Sequence, residues 1–273
     1  MIAVLSMVAC GKKTEVKYES SKVSKQNIST SITATGTIEP VTEVEVGTQV
    51  SGIIDKIYVD YNSVVKKGQL IAELDKTNLQ SELSSAKSNM ESAKSKMEYQ
   101  ESNYNRYKEL YSKGLVSADE YENARLSYKQ ASEEYSIQKE SVSKAQTNLG
   151  YAIITSPIDG IVLSKEVEEG QTVAAAMETP TLFIIAQDLT DMQVIADVDE
   201  ADIGGVKEGQ RVTFTVDAFP DDLFEGKVTQ VRQEATEESN VVTYEVVISA
   251  PNDDLKLKPG LTANVTIFTN ERD

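Results

Sequence analysis

Apolar positions along this chain change their period three times. Residues 41–75 read as short strands separated by turns, including Ser51-Gly52-Ile53-Ile54 and Lys67-Gly68-Gln69-Leu70. Then Leu79, Leu83, Ala86, Met90, Ala93, Met97, Gln100, Tyr104, Tyr107 and Tyr111 recur at alternating four and three residues, the stripe of a coiled coil. After a short break the stripe returns as Tyr121, Ala124, Tyr128, Ala131, Tyr135, Gln138, Val142, Ala145 and Leu149. Thr77 with Gln80, and Ser117 with Glu120, have capping-box spacing, while Gly114 and Gly150 stand where a left-handed helix end wants glycine. So short a break folds the two helices back as an antiparallel hairpin. At about 1.5 Å per residue, an arm of roughly 32 residues spans about 48 Å. One narrow apolar seam closes it against its partner arm, so it needs no other core and can project.

Strand signals resume at 152–155, and the two flanks of the hairpin look alike. Asp159-Gly160-Ile161-Val162 with Glu169-Gly170-Gln171-Thr172 matches the Gly52 and Gly68 motifs, which pairs Gly68 with Gly170. Two such half-motifs predict one flattened β-sandwich with the hairpin emerging between them. From Met192 the period becomes two, as in Met192, Val194, Ala196 and Val198 or Val242, Tyr244, Val246 and Ile248. Turn signals at Gly204-Gly205, Asn252-Asp253-Asp254 and Pro259-Gly260 separate these runs, which predicts a small antiparallel β-barrel. The expected fold is therefore mixed β and α, with the sandwich in 41–76 and 151–189, the hairpin in 77–150 and the barrel in 190–273.

Composition narrows the chemistry. The formal net charge is −17, with 44 acidic against 27 basic residues, which argues against a nucleic-acid partner, because phosphates are held mainly by Lys and Arg. With no His and one Cys, neither the usual zinc sets nor a Ser–His–Asp triad can be built. Carboxylate-only catalysis stays possible in principle, but the acids lie along helix faces and turns, so we expect no catalytic residues, no metal and no cofactor. The single cysteine, Cys10, follows the apolar run from Ile2 to Val8 and precedes Gly11-Lys12-Lys13. This resembles a bacterial lipoprotein signal over 1–10, with Cys10 lipidated as the membrane anchor.

Four further segments carry a family resemblance. They are Gly47-Thr48-Gln49-Val50-Ser51-Gly52, Gly170-Gln171-Thr172-Val173-Ala174-Ala175, Asp199-Glu200-Ala201-Asp202-Ile203 and Leu257-Lys258-Pro259-Gly260-Leu261-Thr262-Ala263. In that order they resemble the membrane-fusion-protein (HlyD-like) family of periplasmic adaptors, nearest its branch linked to ABC-type transporters. The resemblance implies a lipoyl-like sandwich and a homo-oligomer, a hexamer by analogy, held at the inner membrane in the periplasm by the lipid anchor. It implies as partners an inner-membrane ABC-type transporter and a TolC-like outer-membrane duct. Arg106, Leu110 and Ser117 match the spacing with which family members dock that duct, and they fall at the expected hairpin tip. Met177 and Glu178 stand where the family places a channel constriction.

A membrane-proximal part is implied as well, built partly from the N-terminal strand. On that reading 11–40 is a tether and strand, and residues 23–37 lack partners in this chain. Two other readings compete: an adaptor for a proton-driven or protein-secretion pump, and a lipoyl or biotinyl carrier modified at Lys76.

Overall fold

The computed structural model describes residues 28–175, 179–238 and 241–272. In chain order the elements are β1 (Ile28–Pro40), β2 (Glu43–Gly47), β3 (Gly52–Ile57), β4 (Val64–Val65), β5 (Leu70–Leu74), α1 (Thr77–Ser112) and α2 (Ala118–Tyr151). They continue with β6 (Ile153–Thr155), β7 (Gly160–Lys165), β8 (Thr172–Val173), β9 (Thr181–Ala186) and β10 (Asp191–Asp199). The last are α3 (Glu200–Ile203), β11 (Arg211–Val216), β12 (Phe219–Glu238), β13 (Val241–Pro251) and β14 (Thr262–Arg272).

The sandwich is two four-stranded sheets, β2-β9-β7-β4 and β6-β5-β3-β8. Each sheet takes two strands from before the hairpin and two from after it, so neither half can bury its apolar face alone. Ile54, Ile71, Leu74, Val162, Phe183 and Ile185 meet between the sheets, all 0–1% exposed. Burying one such side chain contributes about 1.5–3 kcal/mol.

The two halves are true repeats, but in a different register from the glycine match. One constant offset carries β3 onto β7 and β4 onto β8, and with them the hydrogen bonds. Ile54 N donates to Gln171 O at 2.9 Å, as Val162 N does to Ser63 O at 3.0 Å. Gly170 N donates to Ile54 O at 2.8 Å, as Asn62 N does to Val162 O at 2.9 Å. The counterpart of Gly170 (φ +83°) is thus Asn62 (φ +61°), not Gly68. Asparagine tolerates the left-handed conformation, so the repeat keeps its turn while losing the glycine that would advertise it.

The hairpin has arms of 36 and 34 residues, about 54 and 51 Å long. Ala86, Ala93, Ala124, Ala131 and Ala145 are buried between them. Small residues at these seam positions let the arms approach closely, while the rest of the surface stays solvated.

The six-stranded barrel closes in the order β1-β10-β13-β12-β11-β14. This corrects the expectation that residues 23–37 lack partners and that 11–40 belongs to a separate, incomplete unit: from Ile28 onward the strand completes the barrel. It pairs with β10 through Thr35↔Asp197 and with β14 through Ile32↔Ile267. Gly36 is required there, because a Cβ on it would lie 2.4 Å from Ile195 O. Ile38, on the same strand, is fully buried among Met192, Val194, Phe214, Val265 and Ile267. The sandwich and hairpin are therefore an insertion between the first barrel strand and the other five.

Candidate docking surface at the hairpin tip

Both ends of the tip connection, residues 113–117, are fixed by the backbone. Gly114 takes φ +69°, and its N–H donates to Tyr111 O at 2.9 Å while Leu115 N donates to Leu110 O at 3.0 Å. That pair of bonds is the Schellman ending of a helix. Ser117 then opens α2 as a full capping box: its hydroxyl accepts from Glu120 N, and its own N–H donates to Glu120 Oε2 at 2.8 Å. The backbone N–H and hydroxyl of Ser117 hold the Glu120 carboxyl below the usual carboxylate range. At the other end of α1 the expected box is absent. The helix begins one residue earlier, with Lys76 as N-cap, and Asp75 instead accepts from Thr77 N at 2.9 Å and from its hydroxyl at 2.6 Å. Gly150 also departs from expectation, lying within α2 rather than at its left-handed end.

Below the tip the seam changes from alanine and methionine to tyrosine. Tyr111 stacks on Tyr121 with ring centroids 5.0 Å apart, and Tyr104 stacks on Tyr128 at 5.7 Å. The hydroxyls of Tyr104 and Tyr121 meet at 3.3 Å, which raises the Tyr121 pKa. Such stacked pairs stabilise by about 0.5–1.5 kcal/mol beyond their buried area. The tip is thus a stiff platform.

On that platform Arg106 is exposed, donates to Asn103 Oδ1 and lies 6.0 Å from the Tyr107 ring centroid. Glu109 pairs instead with Lys113 at 2.6 Å. Leu110, one turn beyond Arg106, is half-buried. Ser117 is exposed, but its proton is directed to Glu120 Oε2 at 2.8 Å, so toward a partner it offers chiefly an acceptor. The three residues therefore cluster in the last turns of α1 and the first of α2. Sequence reading passed over Leu115, which is 66% exposed at the apex. Its signal was an apolar residue after a turn glycine and outside the seam.

Lys76 bridges to Glu73 at the helix start and does not stand on a β-turn. Cys10, Met177 and Glu178 lie outside the described residues. Among the described residues no group of three or more acidic, Cys or His side chains could hold a metal. No described helix is long and apolar enough to cross a membrane.

Fold and tip together define a protein in which a barrel and sandwich support a long helical arm with a capped tip. Comparisons with known proteins give the family. Residues 42–185 match the RND MFP barrel-sandwich hybrid domain, and residues 192–267 match the YknX-like beta-barrel domain. The chain is 30% identical over 266 residues to the macrolide export protein MacA of Yersinia pestis, covering 92% of this chain and 71% of that protein. It is 30% identical over 283 residues to the pyoverdine export membrane fusion protein PvdR of Pseudomonas aeruginosa, covering 91% and 72%. The crystal structure of MacA from Actinobacillus actinomycetemcomitans superposes with a TM-score of 0.72 at 35% identity, covering 94% of this chain and 83% of that one. The chain belongs to the membrane fusion protein family.

Proposed function

We propose that this chain is the periplasmic adaptor of a tripartite efflux pump, joining an inner-membrane ABC-type transporter to a TolC-like outer-membrane duct. The observation that carries this is the hairpin: arms of 36 and 34 residues, with solvated flanks and a rigidly capped tip that holds Arg106, Leu110 and Ser117 far from the barrel. Such a shape transmits contact over distance. We read the work as mechanical: six copies align their hairpins into a conduit, Cys10 carries the lipid anchor, and Met177 with Glu178 narrows the channel. The cargo, a small molecule or peptide, is chosen by the transporter. The four segments that resemble the ABC-linked branch support an ABC-type transporter. The description of the matching sandwich family, RND MFP, favours a proton-driven transporter as the second reading.

Arg106→Asp is the test. A charge reversal on an exposed helix face changes stability by only about 0.5 kcal/mol. Opposite a hydrogen-bonding partner it removes a donor and adds repulsion, which costs a few kcal/mol per contact, multiplied by avidity around a ring. Export and crosslinking to the duct should be lost, with thermal melting and stimulation of the transporter's ATPase retained. Wild-type export would remove the docking role, and the absence of any ATPase to stimulate would favour the proton-driven reading.

A further inference from the structure

We infer that the outer wall of the barrel carries a binding trough for a glycan bearing protonated amino sugars, a role independent of the docking reading above. Ala34, Val198, Val265 and Phe214 pack into the barrel core, so strand alternation turns their neighbours outward. The registers then set those neighbours in rows. Asp197, Thr35, Asn264 and Thr215 stand opposite one another across β10, β1, β14 and β11. Two residues along each strand, Asp199 leads a second row of Thr33, Thr266 and Thr213. With strands about 4.8 Å apart, each row runs roughly 14 Å. Together they line a trough of about 570 Å³, a volume within the range of small-molecule sites, with Leu223, 66% exposed, at its edge.

The trough holds polar groups that the fold itself does not use. Thr213 is only 9% exposed, yet its hydroxyl makes no hydrogen bond among the described residues, and the hydroxyls of Thr33, Thr35, Thr215 and Thr266 make none either. Elsewhere on the barrel such hydroxyls are engaged: Thr229 Oγ1 donates to Val247 O at 3.0 Å and Thr269 Oγ1 to Thr30 O at 3.1 Å. A nearly buried hydroxyl without a partner weakens the fold, so one that lines a cavity marks a group held ready for a ligand. Asp199 is the N-cap residue of α3, but its carboxylate makes no capping bond. Asn264 gives its Nδ2 to Asp217 at 3.0 Å, which leaves its carbonyl oxygen to accept. Among the described residues no lysine or arginine lines the trough, and Asp197 and Asp199 repel anions. The complement is a ligand with many hydroxyls for the threonines, a cationic amine for the two carboxylates and a C–H face for Leu223. Amino sugars combine all three, and rows of roughly 14 Å outrun a single ring, so the ligand is an oligosaccharide.

The test is calorimetric titration of the full chain with a β-1,4-linked glucosamine tetrasaccharide, in mildly acidic buffer that keeps its amines protonated. The glucose tetrasaccharide of the same linkage and the hydroxyl-free polyamine spermine are the comparisons. The amino glycan should bind at least about fivefold more tightly than either, because only it meets both the carboxylates and the hydroxyls. Thr213→Val should weaken that binding at least about threefold with melting unchanged, and Thr213→Ser, which keeps the hydroxyl, should bind as the parent does. Asp199→Asn should narrow the preference for the amino glycan over its glucose counterpart. No binding of the amino glycan overturns the inference. Binding that spermine matches and Thr213→Val leaves untouched also overturns it, since the acidity of the whole chain then accounts for the heat. An equal loss in Thr213→Val and Thr213→Ser does the same, because shape and not the hydroxyl would then be what matters.

Discussion

The hairpin and the barrel reach order by opposite routes. Every seam contact of the hairpin joins two helices that are neighbours in sequence, connected through residues 113–117. The barrel is closed by β1, whose partners β10 and β14 lie on the far side of the whole sandwich and hairpin insertion. Local pairing needs only a short loop to close, whereas the β1 contacts must wait until the insertion has brought its own ends together. The lesson concerns robustness: the projecting arm is self-sufficient, while its base depends on a strand contributed from elsewhere.

Ile38→Asp should break that contrast most strongly. Ile38 is fully buried, and its backbone is bound on both sides, N–H to Leu261 O and C=O from Gly260 N, each at 2.8 Å. A carboxylate there has no partner in the core, and the expected loss is roughly 3 kcal/mol or more. Hydrogen exchange should show β1, β10 and β14 opening while the amides of α1 and α2 keep their protection. Equal loss in both regions would mean that the hairpin leans on the barrel.

Ser117→Ala probes the other side with a smaller effect. It removes the hydroxyl from the capping box and should cost about 1 kcal/mol. The helical transition should move down by a few degrees, with barrel exchange unchanged. Ser117→Arg combines this loss with any docking defect, so only the alanine change isolates the cap.

What could be read in the sequence follows the same division. The seam was legible because heptad spacing is local. All its members but Tyr111 are at least half-buried, and Tyr111, 44% exposed, still stacks on Tyr121. The Ser117 box and the Gly114 turn were legible for the same reason. The β1 strand was readable as a strand, but its partners were not, because alternation names the face that is buried and not what covers it. The repeat was visible, yet a search anchored on glycine chose Gly68 where backbone geometry selects Asn62. Thr77 missed its cap because Asp75, two residues earlier, is the better acceptor for the same N–H. At the tip, Arg106, Leu110 and Ser117 were singled out by the family resemblance and their spacing. The exposure of Leu115 and the engagement of Ser117 by Glu120 are three-dimensional facts that spacing does not carry.

Acid should separate the two regions by the smallest margin, and with opposite signs. In the hairpin, Asp75 is held below the usual carboxylate range by the Thr77 hydroxyl and then its N–H, and Glu120 by the Ser117 backbone and then its hydroxyl. A carboxyl whose folded pKa is lowered stabilises fully above its ordinary value, and that contribution fades as the pH falls through the folded one. The α2 start therefore weakens below the ordinary glutamate value of 4.5, and the α1 start below the ordinary aspartate value of 3.8. In β1 of the barrel, Glu39 has the reverse shift: burial first and then Glu43 raise its pKa, against a lowering influence from Arg232. Its ionised form strains the folded state at neutral pH, and protonation near and above the ordinary value relieves that strain. Once the pH falls below 4.5 the hairpin melt, followed by circular dichroism, should move down, while exchange at β1 holds or slows slightly. Parallel loss in both regions would mean that the general release of carboxylate pairs outweighs these two local effects, and that the caps at Asp75 and Glu120 contribute little to holding the arm.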